Sequence, residues 1–279
     1  MIASEMINIG SNLLREKKII SHVLDSELLL SKTLNKTREE ILINLNQKLN
    51  RENISIFKRY LLRRSRYEPV AYILNKKEFW SKKFYVNNNA LIPRPETELL
   101  VDKLLKLFKG KKVSILDIGT GSGCIILSLL STLDKSLGLG VDISKNAISV
   151  AKKNACNHKL TNRVKFLNKS FEYVYNKKFD LIVSNPPYIE RKDIKNLCDD
   201  IKRYEPRIAL DGGNDGLDLI KKVIYKSNDI LKINGTLALE IGNEQIKKVS
   251  KILLDNNFKI KHVIKDYKNN VRCILAYYK

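Results

Sequence analysis

The sequence predicts an α/β protein in which a doubly wound, mostly parallel sheet with a terminal antiparallel strand follows a small N-terminal helical bundle. Three observations carry this prediction. From about residue 3 to 72, apolar side chains recur at spacings of three and four, which is typical of amphipathic helices. From residue 113, strand patterns alternate with helical ones, which favours a parallel sheet covered on both faces. The last two strand patterns are separated only by a short turn, so we expect them to pair antiparallel.

The 279 residues divide into three parts. We expect a helical domain over residues 1–74, a β-hairpin connector over 75–92 and a second domain over 93–279. Aromatic and β-branched residues with Asn/Lys turns over 69–92 indicate one or two short strands before the second domain. Two prolines then precede an amphipathic helix that begins near Glu96.

The second domain contains seven strand patterns, each a short run of apolar and β-branched residues. In chain order they cover residues 113–119, 137–143, 163–169, 179–185, 235–242, 258–266 and 271–279. Helical patterns lie between them, over residues 122–133, 144–158, 215–231 and 244–256. This alternation predicts the crossover helices of a parallel sheet.

The chain is strongly basic, with 52 Lys and Arg against 30 Asp and Glu and a formal net charge of +22. Such a charge suggests nucleic acid, but residues 1–92 carry 17 basic and 9 acidic residues, so the excess is spread along the chain. With 39 Lys and 27 Asn, it reflects a composition bias. A local cluster between Lys58 and Arg66 is either a solvated helix surface or a partner-binding face.

No apolar run approaches the roughly 18–20 residues of a membrane span. Residues 1–18 mix charged with apolar side chains, so we expect no signal peptide. The four cysteines lie far apart without a CxxC pair, so we expect neither a zinc site nor a disulfide framework. These observations predict a cytoplasmic protein that uses no metal.

Three loops at the carboxyl ends of central strands are candidates for the functional site, because doubly wound sheets bind ligands there. The first opens a helix and is rich in glycine, which lets a ligand approach free backbone N–H groups. Its GxGxG spacing departs from the dinucleotide fingerprint at Cys124 and lacks the lysine of a phosphate loop, so a tight structural turn is the alternative. The loop comprises Gly119, Thr120, Gly121, Ser122 and Gly123.

The second loop begins with Asp142, which ends the next strand, 19 residues after Gly123. An acid at this point suits hydrogen bonds to both ribose hydroxyls of a nucleotide-like ligand. The alternative role, capping the following helix, is better served by Ser144.

The third loop is Asn185-Pro186-Pro187-Tyr188, directly after a strand. Its prolines fix their φ angles and remove two N–H donors, which leaves the Pro186 carbonyl and the Asn185 side chain as rigid polar groups. Tyr188 adds an aromatic face. The alternative is a rigid turn that carries an aromatic residue by chance.

The glycine loop, the ribose acid and NPPY in this order resemble the class I S-adenosylmethionine-dependent methyltransferases, which have a Rossmann-like fold. The segments EPVAYIL (68–74) and PRPETE (93–98) resemble, more narrowly, the PrmC/HemK family of bacterial peptide chain release factor N5-glutamine methyltransferases. The resemblance covers essentially the whole chain. It departs from the family at Asn75, where glycine is usual, and over residues 168–171, which lack the usual acid.

The resemblance implies transfer of a methyl group from S-adenosyl-L-methionine to the glutamine side-chain amide of the GGQ motif in release factors, with S-adenosyl-L-homocysteine as product. It implies that Asn185 and Pro186 accept hydrogen bonds from the substrate amide, while Pro187 and Tyr188 pack against it. The helical domain would recognise the release factor, and we expect a monomeric enzyme.

The implied cofactor-binding residues are the glycine loop, Asp142, Asn185 and Phe171, with Ser170 as the alternative adenine contact. Residues 205–216 form either a wall of the peptide channel or a plain surface loop. Four further side chains lie near these loops by resemblance without an assigned role: Arg94, Glu96, Thr97 and Glu240.

The competing hypothesis is a nucleic-acid adenine exocyclic-amine methyltransferase that shares NPPY. It would use the basic charge directly. Against it, the sequence contains no evident base-reading domain, and PRPETE has no role in such an enzyme. We therefore expect a protein substrate rather than nucleic acid.

Overall fold

The structure is a computed structural model that describes residues 1–175 and 177–279. It contains two compact units, and each is discontinuous in sequence. They are Met1–Lys76 with Cys198–Tyr204, and Lys77–Leu197 with Glu205–Lys279. The division into functional domains at residues 74 and 92 stays a prediction.

The described residues form eleven α-helices and nine strands. The helices are α1 (Ala3–Glu16), α2 (His22–Leu34), α3 (Arg38–Ile43), α4 (Arg51–Ser65), α5 (Val70–Leu74), α6 (Glu98–Phe108), α7 (Cys124–Thr132), α8 (Lys145–Asn157), α9 (Asp199–Tyr204), α10 (Asp218–Ile230) and α11 (Ile246–Asp255). The strands are β1 (Lys77–Phe79), β2 (Lys82–Phe84), β3 (Ser114–Ile118), β4 (Leu137–Asp142), β5 (Val164–Asn168), β6 (Phe179–Ser184), β7 (Leu231–Glu240), β8 (Phe258–Lys265) and β9 (Val271–Tyr278). No helix in this described part is long and apolar enough to cross a membrane.

The first unit packs α1, α2, α4 and α5 around buried side chains such as Met6, Leu30 and Phe57. The strand prediction over 69–92 is wrong for its first residues, because Val70–Leu74 form α5. The N-terminus of this helix follows Pro69, and the helix ends where Asn75 takes the left-handed conformation. Further along, β1 and β2 pair antiparallel as a hairpin.

A buried ion cluster lies inside the first unit. The Arg64 side chain is only 5% exposed, and its guanidinium pairs with Asp25 at 2.6 Å and with Asp200 at 3.0 Å. Burial of the guanidinium is tolerated because two carboxylates compensate its charge. Nearby, Arg63 donates to Glu68 at 2.8 Å. The basic cluster predicted on α4 is therefore not one continuous face, because Arg64 is buried and Arg63 is paired with Glu68.

The second unit is built on a seven-stranded sheet of order β5-β4-β3-β6-β7-β9-β8. Strands β3 to β7 pair parallel, and β9 lies antiparallel between β7 and β8. This confirms the predicted doubly wound sheet with a terminal antiparallel strand. The chain runs outward from β3 through β4 to β5 and returns to the other side of β3 as β6, which places the topological switch point beside β3.

Helices cover both faces of the sheet. On one face α6, α7 and α8 pack against a cluster that includes Ile115 of β3. On the other, α10 and α11 pack against a cluster that includes the next residue, Leu116. Successive strand residues point to opposite faces, so burial on both faces explains why Ile115 and Leu116 are both apolar.

Candidate functional site

A cleft that is open to solvent lies at the carboxyl ends of β3, β4, β5 and β6. The cleft gathers residues from all three predicted loops, as expected for the switch point of a doubly wound sheet. The predicted residues that line it are Gly119, Gly121, Asp142, Phe171, Asn185 and Pro187.

The glycine loop divides into residues that face the cleft and residues that hold the loop. Gly119 and Gly121 line the cleft with φ of +68° and +54°, a conformation that glycine adopts without strain. Thr120 and Ser122 are buried behind them. The Thr120 hydroxyl donates to Asp117 at 2.7 Å. Of this loop, these two glycines line the cleft and the two hydroxyl residues do not.

Asp142 lines the cleft and also fixes the glycine loop. Its Oδ2 accepts the Gly121 N–H at 3.0 Å, and its Oδ1 accepts the Ser144 N–H at 2.9 Å. Burial raises the pKa of this carboxyl. Ser144 is the cap of α8, as predicted, because its hydroxyl accepts the Ala147 N–H at 3.2 Å.

The segment after β5 places one of the two adenine candidates in the cleft. Phe171 is buried and lines it. Ser170 is engaged elsewhere, since its hydroxyl donates to the Glu172 carboxylate at 3.0 Å and accepts the Glu172 N–H. Asn168 lies in the segment where the sequence departs from the family. Its side chain has a local structural role, because it donates to the Asp142 carbonyl at 3.1 Å.

The NPPY loop is tied to a buried carboxylate at the end of β7. The Asn185 Nδ2 donates to Thr97 Oγ1 at 3.3 Å, and the Thr97 hydroxyl donates to Glu240 Oε2 at 2.6 Å. The Tyr188 hydroxyl donates to the other oxygen of Glu240 at 3.3 Å. We call these four residues the Glu240 network. The sequence indicated that Thr97 and Glu240 lie near the loops but gave no partner for either.

The backbone of NPPY is held separately by Gln245. Its Nε2 donates to the Tyr188 carbonyl at 3.0 Å and to the Gly216 carbonyl at 3.1 Å. Its Oε1 accepts the Gly242 N–H at 2.9 Å. Gly216 has φ of +70°, and a Cβ there would collide with the Tyr188 carbonyl. This amide therefore joins three loops around the cleft, and the sequence contained no signal for it.

Residues 205–216 contribute to the cleft through Pro206, Ile208 and Ala209. Glu205, beside them, is buried and pairs with Arg94 at 2.6 Å. A buried carboxylate paired with a guanidinium fixes the start of this segment. These contacts support the prediction of a channel wall over that of a plain surface loop.

Asp117, directly before the glycine loop, is buried and was given no role by the sequence. Its Oδ2 accepts from Thr120, and its Oδ1 has no hydrogen-bond partner among the described residues. Burial raises the pKa of its carboxyl to about 7. Asp117 itself does not line the cleft, although the next two residues, Ile118 and Gly119, do.

Two raised pKa values predict how stability depends on pH. Burial raises the pKa of Glu240 to about 7, as it does for Asp117, from ordinary values of 4.5 and 3.8. Both groups bind protons more tightly when folded, so the free energy of unfolding should fall as pH rises from about 4.5 to about 8. We expect a loss on the order of 5 kcal/mol between pH 5 and 8, about half from each group, measured by urea denaturation.

The matched control for this pH dependence is the double variant Asp117→Asn/Glu240→Gln, which removes both titrating groups. Its stability should change much less over the same interval. Carboxyls with lowered pKa, such as Asp266 at about 2, titrate below this window. A stability that rises in parallel in both proteins from pH 5 to 8 would contradict the assignment.

Comparisons with known proteins agree with this geometry. The family model described as PrmC N-terminal domain matches residues 5–74, and the one described as methyltransferase small domain matches residues 95–203. The release factor glutamine methyltransferase of Buchnera aphidicola is 41% identical, over 95% of this chain and 98% of that one. The release factor glutamine methyltransferase of Caulobacter vibrioides is 40% identical, over 80% of this chain and 78% of that one.

Other curated relatives are longer. The bifunctional methyltransferase of Rickettsia conorii is 36% identical over 97% of this chain but only 57% of its own length. That of Rickettsia typhi is 38% identical over 97% of this chain and 56% of its own length. The chain thus spans about half the length of these bifunctional relatives.

Solved structures show the same fold at low identity. The hMettl16 catalytic domain, solved in complex with MAT2A 3′UTR hairpin 6, has a TM-score of 0.58 at 17% identity, over 81% of each chain. A ribosomal protein L11 methylase from Lactobacillus delbrueckii has a TM-score of 0.53 at 19% identity, over 70% of this chain and 84% of that one. These structural likenesses concern the fold alone. The sequence relatives, which span both units, confirm the resemblance seen in the motifs: the chain belongs to the family of release factor glutamine methyltransferases.

Proposed function

We propose that this chain transfers a methyl group from S-adenosyl-L-methionine to the side-chain amide nitrogen (N5) of the glutamine in the GGQ motif of peptide chain release factors. The observation that carries the proposal is the Asn185 side chain, which lines the cleft while its NH₂ group is held by Thr97. This leaves its oxygen as an acceptor for the N–H groups of a planar amide. The release factor glutamine methyltransferases among the relatives support the same substrate class.

The residues of the cleft fit S-adenosyl-L-methionine. Asp142 would accept the ribose hydroxyls, and the buried Phe171 offers an apolar wall for adenine. The glycine loop supplies backbone groups without an intervening Cβ. When bound, the cofactor supplies an electrophilic methyl group on a sulfonium centre. We propose that the enzyme uses no metal and releases S-adenosyl-L-homocysteine.

The protein's own task is to position a poor nucleophile. The lone pair of an amide nitrogen is delocalised into its carbonyl, so the nitrogen reacts only when its geometry is biased. Acceptance of its N–H groups by Asn185 Oδ1 and the Pro186 carbonyl favours the arrangement that the nitrogen acquires as its new bond forms. Pro187 and Tyr188 would hold the flat amide in place. Orientation of this kind contributes about 7–11 kcal/mol in well-aligned systems.

We further propose that the helical unit recognises the release factor, because its sequence matches a family model found at the N-terminus of these enzymes. A cytoplasmic, monomeric enzyme that requires neither a membrane nor a nucleic-acid substrate remains our prediction. The exposed cations between Lys58 and Arg66 would then assist encounter with an acidic partner, and salt would weaken this effect.

The alternative is methylation of an adenine exocyclic amine in nucleic acid, which the same NPPY geometry and the basic charge would serve. One experiment separates the two functions. Purified protein is incubated with methyl-labelled S-adenosyl-L-methionine and with release factor, release factor whose GGQ glutamine is replaced by alanine, or nucleic acid. We expect label only on the intact release factor. Label on nucleic acid, or equal label on the alanine factor, would refute the proposal.

A further inference from the structure

In the Glu240 network, the chemistry of each side chain determines which group donates each hydrogen bond and which group accepts it. Glu240 is only 1% exposed, and its carboxylate can only accept hydrogen bonds. The hydroxyl hydrogen of Thr97 is therefore committed to Glu240, at 2.6 Å. What remains on Thr97 Oγ1 is its lone pairs, and these face the Asn185 side chain.

This direction decides how the Asn185 amide is turned. A side-chain amide has an NH₂ end that donates and an oxygen end that accepts, and the two ends have nearly the same shape. Only the NH₂ end can meet the lone pairs of Thr97, and it does so at 3.3 Å. The oxygen end then points away from Thr97.

We propose that Glu240 is a positioning residue that acts through Thr97 to fix the orientation of the Asn185 amide, so that an acceptor rather than a donor meets the substrate. The inference rests on the proposed function, because it assumes a substrate NH₂ group. If the Asn185 amide flipped, its own NH₂ would face the NH₂ of the glutamine, and two donors would repel. Glu240 never touches the substrate in this arrangement.

Glu240 also contacts the last residue of NPPY, Tyr188. Its hydroxyl donates to Glu240 at 3.3 Å, so the same carboxylate holds both the first and the last residue of NPPY. Phenol and threonine hydroxyls both donate here, which is possible only because the carboxylate accepts at both of its oxygens.

The protonation state of Glu240 should control this orientation. Burial raises its pKa to about 7 against the lowering effect of Thr97 and Tyr188. A protonated Glu240 can donate, and Thr97 is then free to turn its own hydrogen toward Asn185. The other titratable or charged groups that face this carboxylate are Glu96, Cys124, Arg272 and Cys273.

The test compares four variants by kcat at saturating S-adenosyl-L-methionine and saturating release factor. Thr97→Val removes the directed hydrogen bond with little change of shape, and Thr97→Ser keeps the hydroxyl. Glu240→Gln replaces one accepting oxygen by an NH₂ donor, so the side chain no longer accepts at both ends. Asp180→Asn removes a carboxylate charge at the opposite end of β6, where it bonds Ser114 and Lys232, and serves as the control. Cofactor affinity is measured by calorimetry for each variant.

We expect Glu240→Gln and Thr97→Val each to lower kcat about 10- to 100-fold, with cofactor affinity within about threefold. The kcat values of Thr97→Ser and Asp180→Asn should stay within about threefold of wild type.

Because Glu240 and Thr97 act on Asn185 in series, the Glu240→Gln/Thr97→Val double variant should be no slower than the slower single variant. The wild-type kcat should fall as pH drops through about 7, and Glu240→Gln should remove this dependence.

Several results would overturn the inference without touching the proposed function. They are a Glu240→Gln enzyme as active as Asp180→Asn, losses that multiply in the double variant, or an unchanged pH profile. If Glu240→Gln does not fold, the comparison of Thr97→Val with Thr97→Ser decides, and equal activity of these two refutes the proposal. A wild-type protein that leaves the release factor unlabelled would instead refute the function itself.

Discussion

Asn185→Ala is expected to lower kcat for release factor methylation by about 10³-fold or more, while cofactor affinity stays within about threefold. The variant removes the acceptor that we assign to the substrate amide, and both geometry and electronic bias are lost with it. The Asn185 side chain is partly exposed in the cleft and its hydrogen bond to Thr97 lies at the edge of that cleft, so the fold should tolerate its removal.

Single-turnover methylation, calorimetric titration with S-adenosyl-L-homocysteine and thermal unfolding together test this expectation. Asn146→Ala, on the exposed start of α8, is the matched control and should retain full activity. Turnover within tenfold of wild type in a folded Asn185→Ala protein would show that this side chain does not orient the substrate. Loss of cofactor binding together with turnover would place Asn185 in the cofactor site instead.

Asp142→Ala should weaken cofactor binding by about 100-fold or more. The variant removes the acceptor that we propose for both ribose hydroxyls, and hydrogen bonds to a charged group contribute about 1.5–3 kcal/mol each. It also frees the Gly121 N–H, which Asp142 holds at 3.0 Å, so the glycine loop would lose one of its anchors. Both effects act on affinity, so kcat at saturation should fall less than kcat/KM.

Calorimetry with S-adenosyl-L-homocysteine measures this change. The control is Asp134→Ala, which removes an exposed carboxylate before β4. An Asp142→Ala protein that binds the cofactor within threefold of wild type would exclude a ribose contact. An equal loss in both variants would indicate a general effect of charge rather than a contact.

The fold and the position of the cleft could be predicted because they follow from local periodicity. Alternating strand and helix patterns dictate a parallel sheet, and a parallel sheet dictates where its loops meet. The three loop motifs were each contained in a short segment. The order of strands and helices and the position of the cleft were therefore predictable from signals that each lie within one segment.

Features that depend on distant partners could not be predicted. Thr97 and Glu240 are 143 positions apart in sequence, and nothing local indicates that they bond. Arg64 looked like one charge of a surface cluster, because its partner Asp200 lies far along the chain. Burial of a polar side chain is visible in sequence only when its partner is near.

The departure at Asn75 shows how a substitution can keep a conformation. Asn75 has φ of +53°, in the left-handed region, where it ends α5. Glycine adopts this region freely, and asparagine is the residue that tolerates it next best. The strand prediction failed here because aromatic and β-branched content outweighed the helix boundaries set by Pro69 and Asn75.

The inclusion of α9 in the first unit has a consequence for how the protein forms during synthesis. Asp200, the second carboxylate partner of the buried Arg64, is made well over a hundred residues after it. Until the ribosome has passed residue 204, the helical unit lacks α9 and this part of its charge compensation. A domain that comes first in the sequence is thus completed late, and a fragment cut at residue 76 would hold an arginine with only Asp25 to balance it.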